Sequence, residues 1–213
     1  GAGNTLTLGR AGDESYSVDR TPPEVTSILR SVPAGALTNA DQVVFAVTFS
    51  EPVSGLANAN FTPNGSDEQV GTSVIALTGA DASWLVTLST AIGMGTVQAD
   101  LVNDLQNVVD AAGNGLTAGR NADEIYTVDR LAPRCTLLRR DTPLAELTNG
   151  SQVTFAAEFN EDITGLTAAN FTLATTGDQI AATLGTISGT GALWTIVVNT
   201  APGTGTLGLT LDQ

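Results

Sequence analysis

Carboxylates are the residues in this chain that could do chemistry. The candidates are Asp19, Glu51, Asp104 and Asp110 with the amide of Asn114, and further along Asp129, Glu161 and Asp162. Hard oxygens of this kind suit a divalent cation such as calcium, which takes about six to eight oxygen ligands from carboxylates, Asn side chains and backbone carbonyls. Paired carboxylates can also cleave glycosides, but these recur along the chain with a structural period, whereas a catalytic site is normally unique. The spacing is not that of an EF-hand loop. The residue types that are missing narrow the chemistry further. The 213 residues contain no His, so the usual general base and nitrogen ligand is absent. All 8 cationic residues are Arg, which removes Lys nucleophiles, Schiff bases and Lys–Asn isopeptide cross-links. The single cysteine, Cys135, rules out a disulfide within the chain. We therefore expect no enzyme.

The period is found by sliding the chain against itself. In the register that lays Val43 on Val153, Phe45, Phe49 and Glu51 fall on Phe155, Phe159 and Glu161. Gly55-Leu56 falls on Gly165-Leu166, Asn60-Phe61-Thr62 on Asn170-Phe171-Thr172, and Trp84 on Trp194. The same register carries Tyr16, Val18, Asp19 and Arg20 onto Tyr126, Val128, Asp129 and Arg130, with no gap anywhere. Residues 1–20 therefore read as the last strand of a preceding repeat, 21–130 as a complete repeat, and 131–213 as a repeat lacking its last strand.

Inside a repeat the pattern is that of short strands. Val43, Phe45, Val47 and Phe49 alternate with Val44, Ala46 and Thr48, the period of a half-buried strand. Trp84–Leu88 and Val97–Leu101 alternate likewise. Glu24–Arg30, Val74–Leu77 and Glu124–Asp129 supply further strands, and Pro63-Asn64-Gly65, Ile92-Gly93 and Ala112-Gly113-Asn114 supply turns. About seven strands in each repeat, with one Trp per repeat, suit an all-β, immunoglobulin-like sandwich. In that frame Trp84, Trp194, Phe61 and Phe171 are expected in the cores. Cys135, which aligns with Val25, is expected as a small buried apolar residue.

The stretch Val47-Thr48-Phe49-Ser50-Glu51-Pro52-Val53-Ser54-Gly55-Leu56 with Asn60-Phe61 resembles the tandem bacterial immunoglobulin-like (Big-type) repeats of large surface proteins and adhesins. Asp110-Ala111-Ala112-Gly113-Asn114 and Tyr126-Thr127-Val128-Asp129 carry the same resemblance, which covers essentially the whole chain. It implies an extracellular or cell-surface location. It also implies a structural or adhesive role as stalk, surface-layer component or fibre subunit, with neighbouring repeats, further copies, or cell-surface glycans or proteins as partners. The other functional class is a carbohydrate-binding or spacer module of a secreted enzyme, which an exposed row of aromatics would favour; only 5% of the residues are aromatic.

With immunoglobulin strand order, Glu51 lies in the B–C loop, Asp104, Asp110 and Asn114 lie in the F–G region, and the incoming linker brings Asp19. These groups would meet at one domain junction and could hold calcium there. Asp129, Glu161 and Asp162 repeat part of the set at the next junction. The competing reading pairs Asp19 and Asp129 with Arg20, Arg130 or Arg134, and makes Asp110–Asn114 an Asx-type turn. A net charge of −14 excludes nucleic acid and anionic membrane surfaces as partners, and salt adaptation would give the same balance. No long apolar run suggests membrane insertion. Gly1 is not an initiator residue, so a processed or excised piece is expected. Four sequons (at Asn60, Asn64, Asn149 and Asn170) are potential glycosylation sites. The unmatched ends allow two readings. One is a window on a longer array. The other is a chain in which residues 5–19 of one molecule complete residues 131–213 of the next, head to tail.

Overall fold

The computed structural model of the chain describes residues 2, 3, 12 and 14–212. Most of the segment expected to form the strand at residues 5–19 lies outside them, and residues 14–20 form no strand. The described residues are all-β, joined by loops and short 3-10 turns. No helix among them is long and apolar enough to cross a membrane. The chain divides into two units, Gly1–Leu131 and Ala132–Gln213.

In the first unit the strands are β1 Val25–Val32, β2 Leu37–Thr38, β3 Gln42–Phe49, β4 Phe61–Gly65, β5 Val74–Ala80, β6 Ser83–Ser89, β7 Met94–Leu101 and β8 Tyr126–Asp129. One sheet has the order β1-β3-β6-β5 and the other β2-β8-β7-β4. Pairing is antiparallel except between β2 and β8. Period-2 alternation puts Val43, Phe45, Val47 and Phe49 of β3 on one buried face. Val86 and Leu88 of β6 join them from the same sheet, while Val97, Ala99 and Leu101 of β7 and Tyr126 and Val128 of β8 come from the other. The two sheets thus enclose one apolar core, a β-sandwich-like arrangement.

Three expectations need correction. Pro63-Asn64-Gly65 is not a turn: it lies in β4, paired with β7 through Pro63↔Ala99. A proline donates no ladder hydrogen bond, but β4 is an edge strand and tolerates one. Trp84 and Trp194 are only partly buried. They sit at the ends of their buried strand faces and donate their indole N–H to the Asp81 and Gly191 carbonyls at 3.1 and 3.0 Å. Cys135 is half-buried, with its Sγ 3.3 Å from the Leu137 carbonyl. Phe61 and Phe171 do lie in the cores. Asn60 is buried at 3% exposure, and its side chain accepts from Ala57 N–H and donates to the Asn103 and Asp104 carbonyls. That sequon is therefore closed to glycan in the folded state.

The second unit contains β9 Cys135–Thr142, β10 Gln152–Phe159, β11 Phe171–Thr175, β12 Thr183–Thr190, β13 Leu193–Asn199 and β14 Leu207–Leu211. Its sheets are β12-β13-β10-β9 and β11-β14. The first residues of β9, β10, β11 and β13 (Cys135, Gln152, Phe171 and Leu193) are those that the sequence register lays on the first residues of β1, β3, β4 and β6. Four strand starts thus fall in the sequence register. A buried glutamine recurs too. Gln69 binds both faces of Ala91, donating to its carbonyl at 3.0 Å and accepting from its N–H at 2.9 Å. Gln179 does the same at Ala201, at 2.7 and 2.9 Å.

Tyr126 ties the first unit together. Its ring is fully buried and stands edge-on to Phe45 at 5.1 Å between centroids. Its hydroxyl donates toward the carbonyls of Pro33 (2.8 Å) and Val44 (3.1 Å) and accepts from Ser31 N–H (3.1 Å). Tyr126→Phe keeps the ring and strands those backbone groups. It should cost about 1–3 kcal/mol, read as a lower urea midpoint for the first unit. An unchanged midpoint would show that water replaces the hydroxyl at no cost.

Candidate functional site

Loop geometry at one end of the first unit gathers the carboxylates. β3 ends at Phe49, and the chain turns through Glu51 to an isolated bridge between Ser54 and Val109. Gly55 makes this passage possible. Its φ is +80°, and a Cβ there would lie 2.0 Å from the Asn107 carbonyl oxygen. Val108 and Leu116, both fully buried, fix the base of the loop that carries Asp110. Asp110 is itself only 5% exposed. Its Oδ1 accepts the N–H groups of Ala112 and Asn114, each at 2.8 Å, and its Oδ2 accepts Asn114 Nδ2 at 2.8 Å. These bonds hold its carboxyl below the ordinary range, the Asn114 side chain being the main cause.

The incoming segment closes the site. Asn114 Nδ2 also reaches the carbonyls of Asp19 and Thr21, both at 3.4 Å. Asp19 Oδ1 accepts Thr21 N–H at 2.9 Å, a local Asx turn. Carboxylate oxygens of Asp19, Glu51 and Asp110 thereby lie within 4.8 Å of one another. Partial burial, then the charges of Asp110 and Asp19, raise the Glu51 carboxyl above its ordinary value of 4.5.

Of the first expected set, the structure thus brings together Asp19, Glu51, Asp110 and Asn114. Asp104 does not join the cluster. It precedes a 3-10 turn in the left-handed conformation (φ 47°, ψ 39°), and its carbonyl accepts from Asn60 Nδ2 at 3.3 Å. The competing pairing of Asp19 and Asp129 with Arg20, Arg130 or Arg134 is not among the described ion pairs, which are Arg30–Glu124, Arg120–Asp123 and Arg139–Glu158. In the first unit, Asp129 Oδ1 accepts Leu131 N–H at 3.1 Å, repeating the Asp19–Thr21 turn. In the second unit, Asp162 lies against Gly191, and Glu161 Oε1 is 3.5 Å from Asn160 Nδ2.

Three carboxylates with backbone carbonyls beside them form an all-oxygen donor set. It fits a hard cation and not zinc or copper, which favour nitrogen and sulfur. Asn114 presents nitrogen to those carbonyls, so as placed it organises the site; turning its amide would offer an oxygen. The Asp19 and Thr21 carbonyls were not legible as partners in the sequence, since nothing in the residue types marks a backbone oxygen. No protein-family model matches the chain, and no curated protein matches it.

The two carboxyls give opposite pH signs. Asp110, depressed in the folded state, contributes stability that is present above its unfolded value and lost as pH falls through the depressed one. Glu51, raised in the folded state, is most favourable below 4.5, and that contribution is lost as pH rises through the raised value. In chelator at neutral pH, Glu51→Gln should melt at or above the wild-type temperature, whereas Asn114→Ala, by letting the Asp110 carboxyl rise toward its ordinary range, should melt lower at neutral pH and lose less of its stability on acidification. A lower neutral-pH melting temperature for Glu51→Gln in chelator would show that Glu51 is held by attraction rather than crowded by like charge.

Proposed function

We propose that this chain is a stretch of tandem immunoglobulin-like repeats whose task is mechanical: an extracellular or cell-surface stalk, surface layer or fibre, without a catalytic centre. The observation that carries this reading is the recurrence of sequence and of strand starts in one common register, because a repeated unit joined through short linkers spans distance. The strand order supports the immunoglobulin-like assignment. Lettered in chain order, β1-β3-β6-β5 reads A-B-E-D and β2-β8-β7-β4 reads A′-G-F-C, with A′ parallel to G. Resemblance to Big-type repeats supports the location. The polysaccharide-binding alternative gains nothing from Trp84 and Trp194, whose rings pack against the cores.

We propose further that Asp19, Glu51 and Asp110 take up calcium. Asp19 belongs to the incoming segment, whereas Glu51 and Asp110 belong to the sandwich, so a shared ion would stiffen the joint. Calcium should stabilise the first unit by about 2.7 kcal/mol at roughly a hundredfold excess over Kd, read as a rise in melting temperature. Chelator should reverse the effect, and Glu51→Gln should abolish it. Identical melting curves in calcium and in chelator would sink the calcium assignment. Hydrolysis of a glycan or peptide by the purified chain would sink the mechanical one.

A further inference from the structure

One edge of the first sandwich is open to another strand, while the others are blocked or very short. The edges are β1, β5, β2 and β4. Along β1 the N–H groups are taken up by side chains: Ile28 donates to Asp123 Oδ2 at 2.8 Å, Arg30 to Glu124 Oε2 at 2.9 Å and Ser31 to the Tyr126 hydroxyl at 3.1 Å. Edge β4 carries Pro63, which has no N–H to give, and β2 is two residues long. Edge β5, Val74–Ala80, has no proline, no charge and no such cap. Its ladder with β6 closes at Ala80↔Ser83 across the two-residue turn Asp81-Ala82, so Ala80, Thr78 and Ala76 are the residues hydrogen-bonded to β6. The backbone N–H and C=O groups of Leu77 and Gly79 therefore point away from the sheet. Among the described residues no backbone group outside the sheet bonds to them.

The surface around this edge is neutral in a chain of net charge −14. Arg30 is the only ionisable residue in β1, β3, β5 and β6, and its guanidinium lies over the Tyr126 ring. The outward row Leu29, Ala46, Leu85 and Thr78 runs straight across the sheet without a charge. The corresponding sheet of the second unit differs, because the Arg139–Glu158 pair lies on it. Charge selects the occupant. A cationic partner is drawn to the acidic surfaces and gains nothing here, whereas a second copy is repelled across most of its surface and least where charge is absent. The edge is also its own complement. Read in both directions from Thr78, the outward-facing neighbours are Ala76 and Ala80, and the core-facing ones are Leu77 and Gly79, a large side chain and a position with none.

We propose that β5 of the first unit pairs antiparallel with β5 of a second copy about a two-fold axis through Thr78. Leu77 and Gly79 of each copy exchange N–H···O bonds with Gly79 and Leu77 of the other. Thr78 then faces Thr78, Ala76 faces Ala80, and the bare Cα of Gly79 leaves room beside the Leu77 side chain. The two four-stranded sheets become one continuous sheet. The contact is isologous, so it closes as a dimer. The inference goes beyond the structural-repeat reading by giving the repeat a lateral partner, and it uses neither the acidic cluster nor calcium.

The test is sedimentation velocity of the full 213-residue chain over a wide concentration range, in low and in high salt. Dimers should form with concentration, and salt should favour them by screening the net charge of −14. Hydrogen exchange at Leu77 and Gly79 should slow as they form. Thr78 is exposed, so Thr78→Asp and Thr78→Lys should fold as the wild type does. Each places like charges on the axis and should raise the dimer Kd by about fivefold or more. An equimolar mixture of the two variants should dimerise again. Ser188→Asp, at the corresponding position of the second unit, should leave dimerisation unchanged. The proposal is overturned by a folded chain that stays monomeric at every concentration and salt, by dimers that tolerate both Thr78 variants, or by dimers that Ser188→Asp alone dissolves. Each of these results leaves the structural-repeat reading standing, because that reading is judged by the absence of hydrolysis and not by self-association.

Discussion

The edge of a β-sheet and the apolar core beside it need covering together. An uncovered edge leaves backbone N–H and C=O groups unpaired, and an uncovered core leaves hydrocarbon in water. In the first unit a single short strand does both. β8 supplies backbone partners to β7, and Tyr126 reaches from it across the core to the carbonyls of Pro33 and Val44. The ring buries a large apolar area, while the hydroxyl reaches backbone groups of the facing sheet that would otherwise lack a partner there. The complete burial of Phe45, Val43 and Val97 depends on this strand being in place.

The acidic cluster follows from how the chain enters the first sandwich. The loop around Asp110 is fastened from below by Val108 and Leu116 and internally by three hydrogen bonds to the Asp110 carboxylate. This makes Asp110 a fixed anion. Asn114 then holds the Asp19–Thr21 carbonyls beside it, and Glu51 arrives from the end of β3. Like charges collected this closely cost stability unless a proton or cation offsets them, and they add to the burial that raises the Glu51 carboxyl. The incoming segment is therefore coupled to the sandwich through electrostatics rather than through a large apolar contact.

Much of this was legible in the sequence because repetition states the structural period directly. Alternation in Val43–Phe49, Trp84–Leu88 and Val97–Leu101 located β3, β6 and β7 to within a few residues, since burying one face of a sheet requires period 2. Pro63-Asn64-Gly65 misled, because those residue types mark turns only when the ladder cannot spare an N–H, and at an edge it can. Asp104 misled for a related reason. Proximity in sequence to Asp110 did not survive the intervening 3-10 turn. The two-residue β2 and the buried Gln69 gave no sequence signal at all.

What the sequence alone determined was the repeat register, the all-β character, the absence of His and Lys chemistry, and the identity of Asp19, Glu51, Asp110 and Asn114 as candidates. These depend on residue type and spacing, which are local properties. Tertiary structure decided which carboxylates meet, which carbonyls face them, and which side chains close the core of the first unit. Those outcomes depend on which distant segments the two sheets bring side by side. The alignment of Tyr16 with Tyr126 is written in the chain. The burial of Tyr126 comes from the pairing of its strand with β7, a contact between segments distant in the sequence.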